Sequence, residues 1–253
     1  MRIIAAVQIN GADRAVKTEK FENAKYLGDP MNIIRILNAK GAQEIAVFDL
    51  QASQTGAIDY FEIEKLSGET SVPLSYGGGI NLSTDVRKLS RLGVERFVLS
   101  RFIGEDEKLV QGLVDKLGSS SVSVSLDIDA YKDKGSETAI SLRRYPRTVL
   151  TLSNILEKLS KLQVGEVIIR PVWLDGTKGE GSVSTYSHLL KEKQLKPFYK
   201  QFRILAGTGI RTIDIAESIS QISLVDGFVV GSLVCFSKTG GVLTSYPEKF
   251  SVL

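Results

Sequence analysis

The sequence is poor in the residues that cross-link small proteins or bind structural metals. Its 253 residues include one cysteine, Cys235, and one histidine, His188. A single thiol excludes an internal disulfide and fits a reducing compartment, and these two residues cannot assemble a structural zinc site. We therefore expect a cytoplasmic protein with no metal and no other cofactor.

Long apolar runs and a strong excess of one charge are also missing. The apolar run after Arg2 is only five residues long, too short for a signal peptide, and no run approaches the length of a membrane span. The net charge of +3 is too small to indicate nucleic-acid binding. We expect a soluble globular protein with neither a membrane nor a nucleic-acid partner.

The chain does contain a regular alternation of short apolar runs and amphipathic stretches. Asp29 before Pro30, with Gly41 after the next apolar stretch, is typical of the two ends of a helix. Similar helical patterns separate most of the apolar runs, which have the length and β-branched content of strands. The eight predicted strands are residues 2–9, 44–50, 72–76, 96–100, 121–128, 166–172, 203–207 and 227–231.

Strands that alternate with helices pair in parallel through right-handed crossovers. Eight such units in about 250 residues predict an α/β fold, the (β/α)8 or TIM barrel. Residues 75–102 also resemble residues 205–234, and AVQIN at 6–10 resembles SLDID at 125–129. The sequence therefore predicts one barrel domain, residues 1–253, built from two fused half-barrels, with one or two short helices after Cys235.

Polar residues at the carboxyl ends of the predicted strands are candidates for chemistry, because the active site of a (β/α)8 barrel lies there. Asp49, Asp127 and Asp175 follow the second, fifth and sixth strands. A carboxylate at such a position can be solvated, cap the next helix or transfer protons, and Asp129 could substitute for Asp127. In the internal repeat, Gln8 occupies the place of Asp127, so the first strand presents an amide.

Glycine-rich turns follow the third and seventh predicted strands at repeat-related positions. Glycine lets backbone N–H groups approach an anion, so each turn, together with the turn after the next strand, is a candidate phosphate site. Tight turns without a ligand are the alternative. A third glycine-rich loop, residues 175–182, suits closure over a ligand or a surface excursion. The candidate phosphate-binding residues are Gly78, Gly79, Ser100, Arg101, Gly176, Thr177, Gly207, Thr208, Gly209, Gly231 and Ser232.

Charged residues mark two further regions. The long basic loop after the first strand, residues 11–23, carries Lys17 and could be a lid over an anionic substrate. Four charged residues stand at or near the opposite, N-terminal edges of strands and would be expected to pair if they point inward. They would form either a structural ion-pair plug or a gate at the mouth of a channel. These four residues are Arg2, Glu44, Arg96 and Glu166.

Together these segments resemble, from end to end, the cyclase subunit of imidazole glycerol phosphate synthase, the HisF family. The resemblance implies a heterodimer with a glutaminase subunit that docks on the N-terminal face of the barrel and makes ammonia, which travels through the barrel. It also implies that Arg2, Glu44, Arg96 and Glu166 form the ammonia gate. The resembling segments are RIIAAV, AVKT, KFEN, GDP, EIAVFDLQAS, YGGGI, SLDID, WLDGTKGEG, AGTGI and VVGS.

The resemblance also implies catalytic positions, one of which has changed. The family uses an aspartate at the end of strand 1 and another at the end of strand 5 as its acid/base pair. Asp127 matches the second, but Gln8 falls on the first, and an amide cannot take up a proton at neutral pH. Lys17 matches the loop lysine and Asp175 the strand-6 aspartate, while Trp173 replaces a further acid.

A kept ammonia path with changed chemistry resembles a paralogous branch of the family, associated with surface polysaccharides such as lipopolysaccharide. There the subunit pair feeds ammonia to a third protein that amidates a sugar, and residues 16–40 look closer to that branch. We therefore expect a synthase subunit of a glutamine amidotransferase complex with a phosphorylated or nucleotide-linked substrate. One alternative is the cyclase of histidine biosynthesis, a lyase acting on a bisphosphorylated ribulosyl aminoimidazole carboxamide. Another is a non-catalytic phosphosugar-binding activator of a glutaminase.

Overall fold

The structure, a computed structural model, describes residues 1–104, 106–134, 137–177, 179–190, 195–198 and 200–235. The described residues divide into two compact units: unit 1 is Met1–Leu99 with residues 229–235, and unit 2 lies within Ser100–Phe228. The elements are β1 Arg2–Ile9, β2 Ala15–Glu19, β3 Glu22–Gly28, α1 Pro30–Ala39, β4 Ile45–Asp49, α2 Leu50–Thr55, α3 Tyr60–Glu69, β5 Leu74–Gly77, α4 Ser83–Arg91, β6 Val94–Leu99, α5 Asp106–Leu117, β7 Val122–Lys134, β8 Glu137–Leu142, β9 Tyr145–Thr151, α6 Leu152–Lys161, β10 Glu166–Pro171, α7 Ser182–Leu189, β11 Arg203–Ala206, α8 Ile213–Ile222, β12 Gly227–Val230 and α9 Ser232–Cys235.

Four parallel strands form the sheet of unit 1 in chain order. β1 pairs with β4, β4 with β5, and β5 with β6. β1, β4 and β6 are mostly buried because they carry Ile, Val, Ala and Phe on both faces, as parallel strands covered by helices do. Helix α1 begins where Asp29 accepts a hydrogen bond from the N–H of Met31 at 2.9 Å, and it buries Ile33, Ile34 and Leu37.

Unit 2 repeats the pattern with β7, β10, β11 and the start of β12. β7 pairs in parallel with β10, β10 with β11, and β11 with β12. Four parallel strands in each unit, alternating with helices, confirm the predicted fold class, a (β/α)8 barrel. None of the helices in the described ranges is long and apolar enough to cross a bilayer. The helices expected after Cys235 lie outside the described residues.

Each unit also carries an antiparallel hairpin that the sequence analysis missed. β2 pairs with the end of β1 and with β3, so the predicted loop at residues 11–23 is largely a hairpin. In unit 2, β7 runs past its predicted end at residue 128 and pairs with β8, which pairs with β9. β3 is exposed or half-buried throughout, so no apolar alternation marks it as a strand. Backbone pairing with the parent strand defines these hairpins. The short helices α2 and α3 were also missed.

Candidate functional site

Gln8 lies at the carboxyl end of β1, and both the nitrogen and the oxygen of its side-chain amide make hydrogen bonds. Its Nε2 donates to Oγ1 of Thr18 at 3.1 Å, and its Oε1 accepts the backbone N–H of Thr18 at 3.1 Å. Thr18 is a buried residue of β2. An amide can donate and accept at once, whereas a carboxylate can only accept. Gln8 therefore ties the β2–β3 hairpin to β1.

Lys17 lies beside the turn that follows β12. Only 8% of the residue is exposed, and its Nζ donates to the backbone carbonyl of Thr18 at 3.1 Å. A Cβ built on Gly231 would lie 3.9 Å from Cε of Lys17. The structure thus brings the predicted lid lysine together with Gly231, a predicted phosphate-binding residue, within unit 1. Ser232 follows Gly231 as the first residue of α9.

Three of the four predicted gate residues contact one another at the N-terminal ends of strands in unit 1. Glu44 accepts hydrogen bonds from Nε and Nη2 of Arg2 at 2.5 and 2.7 Å and from Nη1 of Arg96 at 3.0 Å. Burial alone would raise the pKa of the Glu44 carboxyl, but the hydrogen bonds and charges of Arg2 and Arg96 outweigh it, and its pKa lies below the ordinary value. We call this group the Glu44 cluster.

The fourth predicted gate residue, Glu166, begins β10 in unit 2. It is buried, and its Oε2 accepts a hydrogen bond from Oγ of Ser123 at 2.9 Å. The two residues lie opposite each other in the parallel pair β7–β10. A buried carboxylate needs such partners because its desolvation is costly.

Asp127, the predicted strand-5 acid, is held by two neighbours within unit 2. Oγ of Ser125 donates to its Oδ1 at 2.8 Å, and Nε of Arg170 lies 3.5 Å from the same oxygen. Arg170 is opposite Asp127 in the register of β7 and β10. Sequence reasoning missed Arg170. The available signal was a charged residue inside the apolar run EVIIRPV, four positions after Glu166 and hence on the same face of the strand.

The turn after β11 donates its backbone N–H groups to a buried tyrosine. The N–H groups of Gly207 and Thr208 lie 3.2 and 3.1 Å from Oη of Tyr186, and Oγ1 of Thr208 donates to the carbonyl of Pro171 at 2.8 Å. Burial raises the pKa of the Tyr186 hydroxyl, which stays protonated. In this structure the Gly207 and Thr208 donors predicted to hold phosphate serve Tyr186.

The loop after β10 packs against the next residue of that turn, Gly209. A Cβ on Gly209 would lie 2.4 Å from Oγ of Ser182 and 3.0 Å from Cβ of Leu174, and its φ is +75°, so only glycine fits. Asp175 is buried at the start of this loop. Thr177 caps the preceding turn by donating Oγ1 to the carbonyl of Leu174 at 2.9 Å, and Gly176 between them has a φ of +74°.

The turn after β5 has a steric reason for its glycines. A Cβ on Gly78 would lie 2.4 Å from the carbonyl oxygen of Asp49, and one on Gly79 would lie 2.8 Å from that of Ala52. Asp49 itself caps α2 by accepting the N–H of Ala52 at 2.8 Å and accepts the hydroxyl of Tyr76 at 3.1 Å. Of the roles open to Asp49, the structure shows helix capping.

The turn after β6 is also organised by a tyrosine hydroxyl. Oη of Tyr145 accepts the N–H groups of Phe102 and Ile103 at 2.8 and 3.1 Å. Arg101, which follows Ser100, pairs with Asp106 at 3.0 Å. The predicted phosphate-binding residue Arg101 is therefore paired with a carboxylate in this structure.

Trp173, where the resemblance placed a lost acid, belongs to an aromatic group. It follows β10 in a short 3₁₀ turn, Val172–Leu174, and stacks on Tyr131 with ring centroids 5.6 Å apart and planes at 26°. Tyr131 also contacts the ring of His188 at 6.3 Å. Because Trp173 is the only tryptophan, its fluorescence reports on this end of β10.

Comparison with known proteins gives one consistent result. The model of the family described as "Histidine biosynthesis protein" matches residues 2–239. A Vibrio vulnificus protein named "Putative imidazole glycerol phosphate synthase subunit hisF3" is 31% identical over 92% of this chain and 88% of the relative. A Leptospira interrogans protein named "Putative imidazole glycerol phosphate synthase subunit HisF" is 31% identical over 92% of this chain and 90% of the relative. A Clostridium botulinum protein named "Imidazole glycerol phosphate synthase subunit HisF" is 31% identical over 70% of each chain. The chain therefore belongs to the histidine biosynthesis protein family.

Proposed function

We propose that this chain is a HisF-like synthase subunit that accepts ammonia from a partner glutaminase and supports amidation of a sugar in the cytoplasm. The glutaminase docks at the N-terminal ends of the strands, where the Glu44 cluster lies. The acceptor is a phosphorylated or nucleotide-linked sugar. A third, ATP-using protein activates the carbonyl oxygen of its acetamido group, ammonia nitrogen replaces that oxygen, which leaves with the phosphoryl or nucleotidyl group taken from ATP, and an acetamidino group forms. The names of the relatives support the synthase part of this proposal.

The observation that carries the proposal is the state of Gln8. Its neutral amide is bonded to Thr18 in both directions, on the strand whose first residue, Arg2, is held by Glu44. A group that cannot take up a proton and already has partners is a poor acid or base. The charged cluster at the start of β1 supports ammonia entry, while Gln8 supports a change in the chemistry at the other end.

The remaining parts of the site have roles in the same scheme. Lys17 beside Gly231 provides a cation where the last parallel strand ends, which suits a phosphate of the acceptor. Asp127 and Asp175 orient the acceptor. Glycine at positions 176 and 231 carries no side chain that would block close approach of the ligand.

The ordinary cyclase of histidine biosynthesis is the second candidate, favoured by the retained Asp127 and by the names of the relatives. The test supplies ammonium directly with the bisphosphorylated ribulosyl aminoimidazole carboxamide substrate and follows product formation. We expect no turnover above background from the natural chain, because the strand-1 acid/base group is missing. Robust turnover would overturn the amidation proposal.

Two variants sharpen this assay. Gln8→Asp restores a carboxylate but is one methylene shorter, and Gln8→Glu keeps the length while removing the Nε2 donor to Thr18. A rise in cyclase turnover with Gln8→Asp alone would show that the scaffold is otherwise cyclase-competent. The positive arm couples the chain to its glutaminase and to the ATP-using amidating protein, supplies ATP, and measures transfer of glutamine amide nitrogen to a nucleotide-linked N-acetylhexosamine.

A further inference from the structure

Arg170 is a mostly buried cation at the carboxyl end of β10. Its side chain is 12% exposed, and that of its partner Asp127 is 20% exposed. Its Nη1 also lies 3.5 Å from Oγ of Ser125. A guanidinium carries five donors in a planar fork, and this geometry matches the paired oxygens of a carboxylate or a phosphate.

The stem of Arg170 is pressed against the turn after β11. A Cβ built on Gly207 would lie 2.6 Å from Cγ of Arg170 and 3.3 Å from its Cδ, so a side chain at position 207 would displace the arginine. Gly207 therefore makes room for Arg170. This explains the glycine without any ligand at the backbone, and it places the guanidinium next to a turn whose N–H groups already bond Tyr186.

The contact between Arg170 and Asp127 is long for an ion pair. The 3.5 Å separation exceeds the roughly 2.7–2.9 Å of a strong charge-assisted hydrogen bond between arginine and carboxylate. A phosphate offers three oxygens and more negative charge than a carboxylate, and arginine binds it with two parallel hydrogen bonds. A phosphate at this strand end would therefore compete with Asp127 for the guanidinium.

We propose that Arg170 binds the phosphate of the acceptor and that Asp127 is the internal anion that occupies Arg170 until the phosphate arrives. This inference rests on the proposed function only for the identity of the acceptor. The sequence analysis predicted that backbone N–H groups of Gly207 and Thr208 hold a phosphate in unit 2. The present proposal assigns that role to the side chain of Arg170. It also gives Asp127 a second role, because phosphate binding releases the carboxylate from Arg170.

The test measures binding of inorganic phosphate and glucose 1-phosphate to the full chain by Trp173 fluorescence and by calorimetry. Asp127→Asn removes the competing charge but keeps an acceptor for Ser125, so phosphate affinity should rise by about tenfold. Arg170→Met should lower affinity by at least about tenfold and Arg170→Lys by less, because lysine keeps the charge without the fork. A simple substrate-orienting role for Asp127 predicts the opposite sign for Asp127→Asn.

A second arginine–aspartate pair of unit 2 is the matched control. Arg143 and Asp129 lie 3.0 Å apart with side chains 37% and 34% exposed, and Arg143→Met should leave phosphate affinity unchanged. If Arg170→Met unfolds, the double variant Arg170→Met/Asp127→Asn removes both charges of this pair and should bind as weakly as expected for Arg170→Met.

Three results would overturn the proposal: no phosphate binding by the natural chain at millimolar concentration, unchanged or weaker binding by Asp127→Asn, or natural affinity in the variants that lack Arg170. Binding of glucuronate as tight as that of glucose 1-phosphate would identify a carboxylate as the ligand and would also overturn it. None of these measurements uses glutamine or the glutaminase, so their failure leaves nitrogen transfer to be judged by its own assay.

Discussion

Gln8 in β1 and Asp127 in β7 occupy equivalent places in the internal repeat, yet their side chains are held by different forces. Gln8 makes neutral hydrogen bonds in two directions to Thr18. Asp127 is held by a charged partner, Arg170, and by the hydroxyl of Ser125. Both strands are followed by an antiparallel hairpin, so the repeat extends to the inserted elements.

The difference indicates that Gln8 has a structural role and that Asp127 has an electrostatic one. The neutral bonds of Gln8 do not respond to pH or to an arriving anion, so they fix the hairpin that carries Lys17. The charged contact of Asp127 changes when another anion approaches, because charges interact over longer distances than neutral hydrogen bonds. The proposed ligand-responsive group is therefore Asp127 within β7, and the fixed contact is that of Gln8 at the end of β1.

Removing Arg170 should have the largest effect on stability. Arg170→Met leaves Asp127 mostly buried without its cation, so we expect a loss of about 3 kcal/mol in the free energy of unfolding. Urea unfolding followed by Trp173 fluorescence measures it. The double variant Arg170→Met/Asp127→Asn should recover most of the loss, since both charges of the pair are then absent. A double variant no more stable than the single one would show that packing of the arginine stem against Gly207 matters more than charge.

Breaking the contact at the end of β1 should cost less. Thr18→Val has nearly the same shape but removes the hydroxyl that Nε2 of Gln8 uses, while the backbone N–H of residue 18 still reaches Oε1. We expect a loss of about 1–2 kcal/mol in the free energy of unfolding, the cost of one unsatisfied half-buried donor. Limited proteolysis should show faster cleavage in residues 15–28.

Thr55→Val is the control for this experiment, because its hydroxyl is an exposed helix-end group that bonds the carbonyl of Gln51. It should change neither the stability nor the cleavage pattern of the hairpin. Equal effects of both variants would mean that Gln8 and Thr18 do not fix the hairpin.

The parallel strands could be predicted from the sequence, but the antiparallel hairpins could not. Apolar runs such as Ile3–Val7 mark buried strands because burial on both faces leaves an uninterrupted pattern. The hairpins lack that pattern, since β3 is exposed and is defined by backbone pairing to β2. Sequence alone could not predict them with the same rule.

In the candidate site, too, some features could be predicted from the sequence and others could not. The residue types at strand ends, Gln8 and Asp127, could be located from the repeat, but their partners could not. Thr18 reaches Gln8 through the register of the hairpin, and Arg170 reaches Asp127 through the register of two parallel strands distant in sequence. Register depends on crossover packing, which a single sequence does not reveal.

The smallest expected effect extends the comparison to the other end of β1, where the Glu44 cluster is charged. The folded pKa of Glu44 lies below its ordinary value near 4.5, so its contribution is present above that pH and is lost as pH falls through the lower folded value. We expect the free energy of unfolding to fall on the order of 1 kcal/mol from this group between pH 5 and pH 3, and Glu44→Gln should flatten that part of the profile. Urea unfolding across this range measures the slope.

Glu157→Gln, which removes an exposed pair with Lys161, is the control and should leave the slope nearly unchanged. If Glu44→Gln keeps the natural slope, Arg2 and Arg96 do not stabilise the Glu44 carboxylate. The contact at the start of β1 would then contribute no pH-dependent stability, just as the neutral contact of Gln8 at its other end contributes none.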